Sequence, residues 1–127
     1  MRPPSTSGIA NNSAAFEPFT LESSRLSGVS IDQLKKRAEA LSARLSYLLE
    51  PISAVEVDPD SCTVQMRSVP PQKDDDGTNY YELLVERGGR LSLCRYSKSP
   101  GAVRHVVPAN VTREVFHRLA ADFVAVV

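Results

Sequence analysis

A surplus of positive or negative charge is missing from this chain. Fifteen Lys and Arg balance fifteen Asp and Glu, so the formal net charge is zero. Without a basic surplus there is no general field to gather nucleic acid or an anionic membrane. The same balance removes colloidal repulsion and so favours self-association. Long apolar runs are missing too. None approaches the roughly 18 residues of a membrane span. Met1–Ala15 carries one arginine and no apolar core of the kind a secretory signal needs. Cysteine occurs only twice, as Cys62 and Cys94. Both fall in strand-like stretches, which excludes a disulfide framework and suits buried free thiols. These absences together predict a cytoplasmic protein without a membrane partner.

Catalytic, metal and phosphate motifs are also missing. Lys73-Asp74-Asp75-Asp76-Gly77 invites a calcium reading. An EF-hand register on Gly77 places Gln72 at the first ligand position and Leu83 at the twelfth, where a bidentate Glu is required. The run is read as a polar loop, and no metal or cofactor is expected. His105 and His117 are the two histidines. Cys94 and His105 fall on neighbouring predicted strands, but among apolar residues, where a thiol is inert. Arg87-Gly88-Gly89-Arg90 is phosphate-like in composition but lacks a following helix N-terminus, so it is read as a turn. Lys35-Lys36-Arg37 and Arg44 lie off the apolar stripe of a predicted helix and are read as a solvated face. Nucleic-acid binding would need Arg67, Arg87, Arg90, Arg95 and Arg104 to converge on one surface, and is not expected.

What is present is architecture. Apolar residues at Ile31, Leu34, Ala38, Leu41, Leu45 and Leu48 step by three and four, the spacing of a packing helix. Ser30 and Gln33 have capping-box spacing, and Glu50-Pro51 ends the helix. Two apolar–polar alternating strands then flank Asp58-Pro59-Asp60-Ser61. With Pro59-Asp60 as the loop, Val57 opposes Cys62 and Val55 opposes Val64. Tyr80–Arg87 and Arg90–Ser97 flank Gly88-Gly89, a two-residue hairpin signal. That pairing sets Leu83 opposite Cys94, Val85 opposite Ser92 and Tyr81 opposite Tyr96. Ser99-Pro100-Gly101-Ala102 reads as a type II turn into a fifth strand, Val103–Val107. Asn110 or Thr112 caps a last helix to about Ala125, with Val115, Leu119 and Phe123 along one stripe.

The expected fold is therefore α+β. It has an N-terminal helix, an antiparallel five-strand meander and a C-terminal helix, with both helices on one sheet face. Residues 1–29 are rich in Ser, Pro, Asn and Gly, and are expected to form a disordered tail before a single α+β domain at 30–127. Phe16–Leu21 is the one apolar island in that tail. The element order is similar, in topology alone, to secretion chaperones and other small dimeric binding modules.

In the two-residue hairpin, Leu84, Leu91 and Leu93 share the sheet face opposite the core and ask for cover. The functional expectation follows from them. It is a non-enzymatic protein- or peptide-interaction module, a homodimer, binding a protein partner or itself across these leucines. The alternative is a small-molecule-binding or enzymatic domain with a cleft lined by Tyr81, Tyr96 and His105.

Overall fold

The computed structural model describes residues 13–75 and 77–127, with Ala54 described by its backbone alone. The chain opens with β1 (Ser13–Phe16) and β2 (Pro18–Glu22), and a 3₁₀ turn at Ser24–Leu26 leads to α1 (Ile31–Arg44). A second 3₁₀ turn, Ser46–Leu48, precedes β3 (Ile52–Asp58), β4 (Thr63–Ser68) and β5 (Gln72–Asp74). Then come β6 (Gly77–Glu86), β7 (Arg90–Lys98), β8 (His105–Val107), β9 (Ala109–Thr112) and α2 (Arg113–Ala125).

The capping signals act as the sequence implies. The Ser30 hydroxyl accepts the Gln33 N–H at 3.2 Å, and the Thr112 hydroxyl accepts the Val115 N–H at 3.1 Å. Each satisfies one of the free donors at a helix start. Leu34, Ala38, Leu41, Leu45 and Leu48 are all buried. Regular α-helix stops at Arg44, however, and the stripe continues through the 3₁₀ turn. Pro51 denies Glu50 the α region, and the chain reverses at Leu49, whose φ is 63°.

The main sheet is antiparallel, with strand order β2-β7-β6-β4-β3, β5 extending along β6 and β8 along β7. α1 lies over β3, β4 and β6. Phe123 of α2 packs edge-on against Phe19 of β2, ring centroids 5.0 Å apart. Phe19, Leu93, Leu83, Met66 and Val55 form one row across the sheet beneath these helices. Leu21, Leu91, Val85, Val64 and Val57 form the next. These two rows, apart from the exposed Val57 at the sheet edge, are the floor of the core.

The five-strand meander between two terminal helices is corrected. The described residues hold nine strands in two sheets, strand outweighs helix, and two strands precede α1. The tail expectation is corrected over the same stretch. Residues 13–29 form strands and a 3₁₀ turn, whereas 1–12 lie outside the described residues. The apolar island explains the change. Phe16 is buried and its ring lies 5.8 Å from Phe19 and 6.4 Å from Phe116, while Leu26 is fully buried. β1 pairs with β9 and β2 with β7, so this segment straps the two sheets together around α2.

The two hairpins differ from expectation in unequal ways. Val57 opposes Val64 and Val55 opposes Met66, because the loop is four residues rather than two. A shift of two keeps every side chain on its face. The β6–β7 loop is three residues, with Glu86 opposite Arg90. That shift of one turns all of β7 over. Gly89 sits at φ 116°, and a Cβ there would lie 2.7 Å from the Ser23 carbonyl oxygen. The Ser23 N–H donates to the Gly89 carbonyl at 2.7 Å, fixing the strap against this loop.

Candidate functional site

The turned strand decides the fate of the predicted leucine surface. Leu91 opposes Val85 and Leu93 opposes Leu83, and both are fully buried in the core. Leu84 opposes Ser92 and Gln65 on the other face, half-buried. Leu84, Leu91 and Leu93 therefore form no common surface. The predicted cleft of Tyr81, Tyr96 and His105 is not assembled either. Tyr81 opposes Arg95 and faces the helices, whereas Tyr96 opposes Tyr80 on the outer face. His105 is exposed on β8 opposite Ser97. Cys94 is thus three residues along from the partner of His105. Burial pushes the Cys94 thiol up, the opposite of what a nucleophile needs.

The candidate ligands and arginines scatter. Among the described residues no cluster of three metal-binding side chains occurs, and no helix is long and apolar enough to cross a membrane. In the Lys73–Gly77 run, Asp74 accepts the Gly77 N–H at 2.9 Å, and Asp76 lies outside the described residues. Of the five arginines weighed for nucleic acid, Arg95 is turned inward onto Glu50 and Arg104 outward onto Glu82. Arg90 lies beside Glu22.

Two polar networks result, one on each side of the sheet. On the outer face Glu82 is buried, 6% exposed. Arg104 clamps its carboxylate with two bonds of 2.7 and 3.3 Å, and Gln65 Nε2 donates at 2.6 Å. The same guanidinium donates to Tyr80 Oη at 3.1 Å and stacks 3.8 Å from the centre of the Tyr96 ring. Each group is satisfied, so this network pins the Ser99–Arg104 loop to the sheet. Arg104→Leu would leave a buried carboxylate without its counter-charge. A loss of about 1–3 kcal/mol is expected, less than for a fully buried pair because the guanidinium is partly solvated. Converting Glu82 to Leu as well should recover most of it. Urea midpoints of Arg104→Leu, Glu82→Leu and the double variant measure the coupling, and a harmless Arg104→Leu would mean the clamp contributes nothing.

The second network borders the helices. Glu50 accepts Ser68 Oγ at 3.2 Å and Arg95 NH1 at 2.9 Å, and the Arg95 guanidinium lies 4.7 Å from the Tyr81 ring centre. Tyr47 Oη donates to Asp122 at 2.7 Å, and Arg44 holds the other Asp122 oxygen at 3.1 Å. Arg118 stacks 4.5 Å from the Tyr47 ring centre. Burial, and then the Asp122 carboxylate, push the Tyr47 hydroxyl up, so it stays a proton donor. Burial also raises Tyr81.

Beside the second network, on the helix side of the sheet, lies a cleft of about 530 Å³. Its walls are Tyr47, Leu48 and Leu49 on one side, Tyr81 at the base, and Asn110, Val111, Thr112 and Val115 on the other. This is the size and mixed lining of a binding site. A second hollow of about 390 Å³ lies between the end of α1 and the start of β3, lined by Ala43, Leu45, Glu50, Pro51 and Ile52 among others. Leu49 borders both hollows.

Leu49 breaks two local rules at once. Its side chain is 88% exposed, and its backbone sits in the left-handed region at φ 63°, ψ 13°. That conformation costs a leucine about 1–2 kcal/mol, which glycine or asparagine would largely avoid. Strain of this kind at an exposed apolar side chain points to use rather than packing. Sequence reasoning passed over Leu49, Tyr47 and the Glu50–Arg95 pair. One signal was available: Leu49 follows Leu48 directly and lies off the three-and-four stripe. The chain matches no protein-family model, no curated protein and no solved structure, so its function rests on this geometry.

Proposed function

We propose that the protein is a non-enzymatic interaction module that docks a protein segment over the surface around Leu49. The observation that carries this reading is the placement of Leu49, nearly fully exposed at a strained backbone position between two hollows, one of mixed and one of largely apolar lining. A small molecule fills one hollow and leaves Leu49 in water. A polypeptide covers both hollows and the ridge between them, and so removes the exposed apolar surface. The polar groups on the rim, Tyr47 with Asp122 and Arg95 with Glu50, are already paired. They orient a partner without adding an unpaired charge to a dry contact. The buried, free thiols of Cys62 and Cys94 support a reducing, cytoplasmic setting.

The test is selection from a displayed peptide library, followed by amide chemical-shift mapping of the selected peptides on the full chain. The expected peptides carry apolar anchors, and their shifts cluster at Tyr47–Leu49, Tyr81 and Asn110–Val115. Shifts elsewhere, or no selection above background, would overturn the docking surface.

A further inference from the structure

We infer that the partner of the Leu49 surface is a second copy of this chain, related by a two-fold axis through that surface. The inference rests on the docking reading above and names its occupant. A two-fold contact sets a patch against itself, so every feature must find its complement within the same patch. The Leu49 surface meets that condition. It carries a projecting leucine and, bordering it, a hollow of mixed lining and a largely apolar one. Its rim carries both signs of charge in one place, with Arg44 and Arg118 beside Asp122 and Tyr47. A strongly acidic or basic partner gains little from such a rim, whereas a copy brings matching charges of both signs. The chain as a whole has no net charge to hold two copies apart.

A competing route to self-association is the open edge at β3, and it is guarded. β3 is the terminal strand on its side of the sheet. It has a bulge between Ile52 and Ala54, and the exposed carboxylates of Glu56 and Asp58. Bulges and edge charges are the devices that keep strands from pairing between molecules. On the other side of the sheet β2 and β8 cover β7 and are themselves the outer strands. The apolar ridge at Leu49 has no such guard.

Sedimentation of the full chain across a wide concentration range tests the inference, together with melting temperature over the same range. The wild-type chain is expected to pass from monomer to dimer, with a melting temperature that rises with concentration. Leu49→Asp should weaken the dimer by about 30-fold or more, as for a central contact residue. Ala43→Glu, on the exposed surface of α1, should weaken it from the second hollow. Leu49→Asn separates contact from folding. Asparagine tolerates the left-handed backbone, so the monomer should melt at the same or a higher temperature while the dimer is lost. A chain that stays monomeric throughout overturns the second copy. If selected peptides still map to this surface, the docking reading survives without it. A dimer that withstands both Leu49 variants uses another surface and overturns the inference directly.

Discussion

Leu93→Glu is expected to unfold the chain. Leu93 is fully buried, between Leu83 of β6 and Phe19 of β2. Losing the leucine alone costs about 2–5 kcal/mol. Placing a carboxylate there adds a desolvation cost, and the neighbouring inward cation on β7, Arg95, is already held by Glu50. The sum matches the whole stability of a typical domain, about 5–15 kcal/mol. Circular dichroism and urea titration should show no cooperative transition. Leu84→Glu is the contrast. Leu84 lies half-buried on the opposite face beside Gln65 and Ser92, and a change there should stay near 1 kcal/mol or below. If the two variants behaved alike, β7 would pair in the other register, which sets Leu84 and Leu93 on one face.

Removal of the strap should be the other large effect. Deleting residues through Glu22 takes away Phe16 and Phe19, which stand against Phe116 and Phe123 at centroid distances of 5.0 to 6.4 Å. It also uncovers the Arg90–Cys94 edge of β7 and removes β1, the one strand that pairs β9 among the described residues. An opened edge beside exposed aromatic rings favours aggregation. The shortened chain is expected to be insoluble or to melt without cooperativity. Phe16→Ala alone should cost about 3–5 kcal/mol by urea midpoint. A truncated chain that melts within a few degrees of the full one would return this segment to the status of a tail.

Composition misled at the strap for a definite reason. Ser, Asn and Pro around the island lower its mean hydropathy, yet two phenylalanines at the right spacing offset part of the ordering cost and the ladders to β7 and β9 offset more of it. Fully burying one large apolar side chain is worth about 1.5–3 kcal/mol, which offsets the ordering of one or two residues. What made the island a strand was the availability of two edges, on β7 and β9, that sequence alone does not display.

The hairpin shows the same balance from the other side. Gly88-Gly89 favours a two-residue loop, a preference of turn geometry. Leu91, Ser92 and Leu93 alternate, which is a preference for burial on one face. The two conflict by one residue. Burying two leucines outweighs a turn preference, and Gly89 accommodates the longer loop at φ 116°.

By itself the sequence determined what is local. Ser30 and Thr112 cap the helices, the stripe from Leu34 to Leu48 faces the core, and Gly101 at φ 74° sits where the turn requires it. It also set which residues of β3 and β4 face inward, because a loop change of two residues preserves period-two alternation. The tertiary structure alone decided the register of β7, the ordering of the strap and the position of Leu49 between two hollows. Each depends on what a distant segment offers as cover. Capping and turn signals act within four residues, whereas burial is settled only when strands and helices far apart in the chain compete for the same surface.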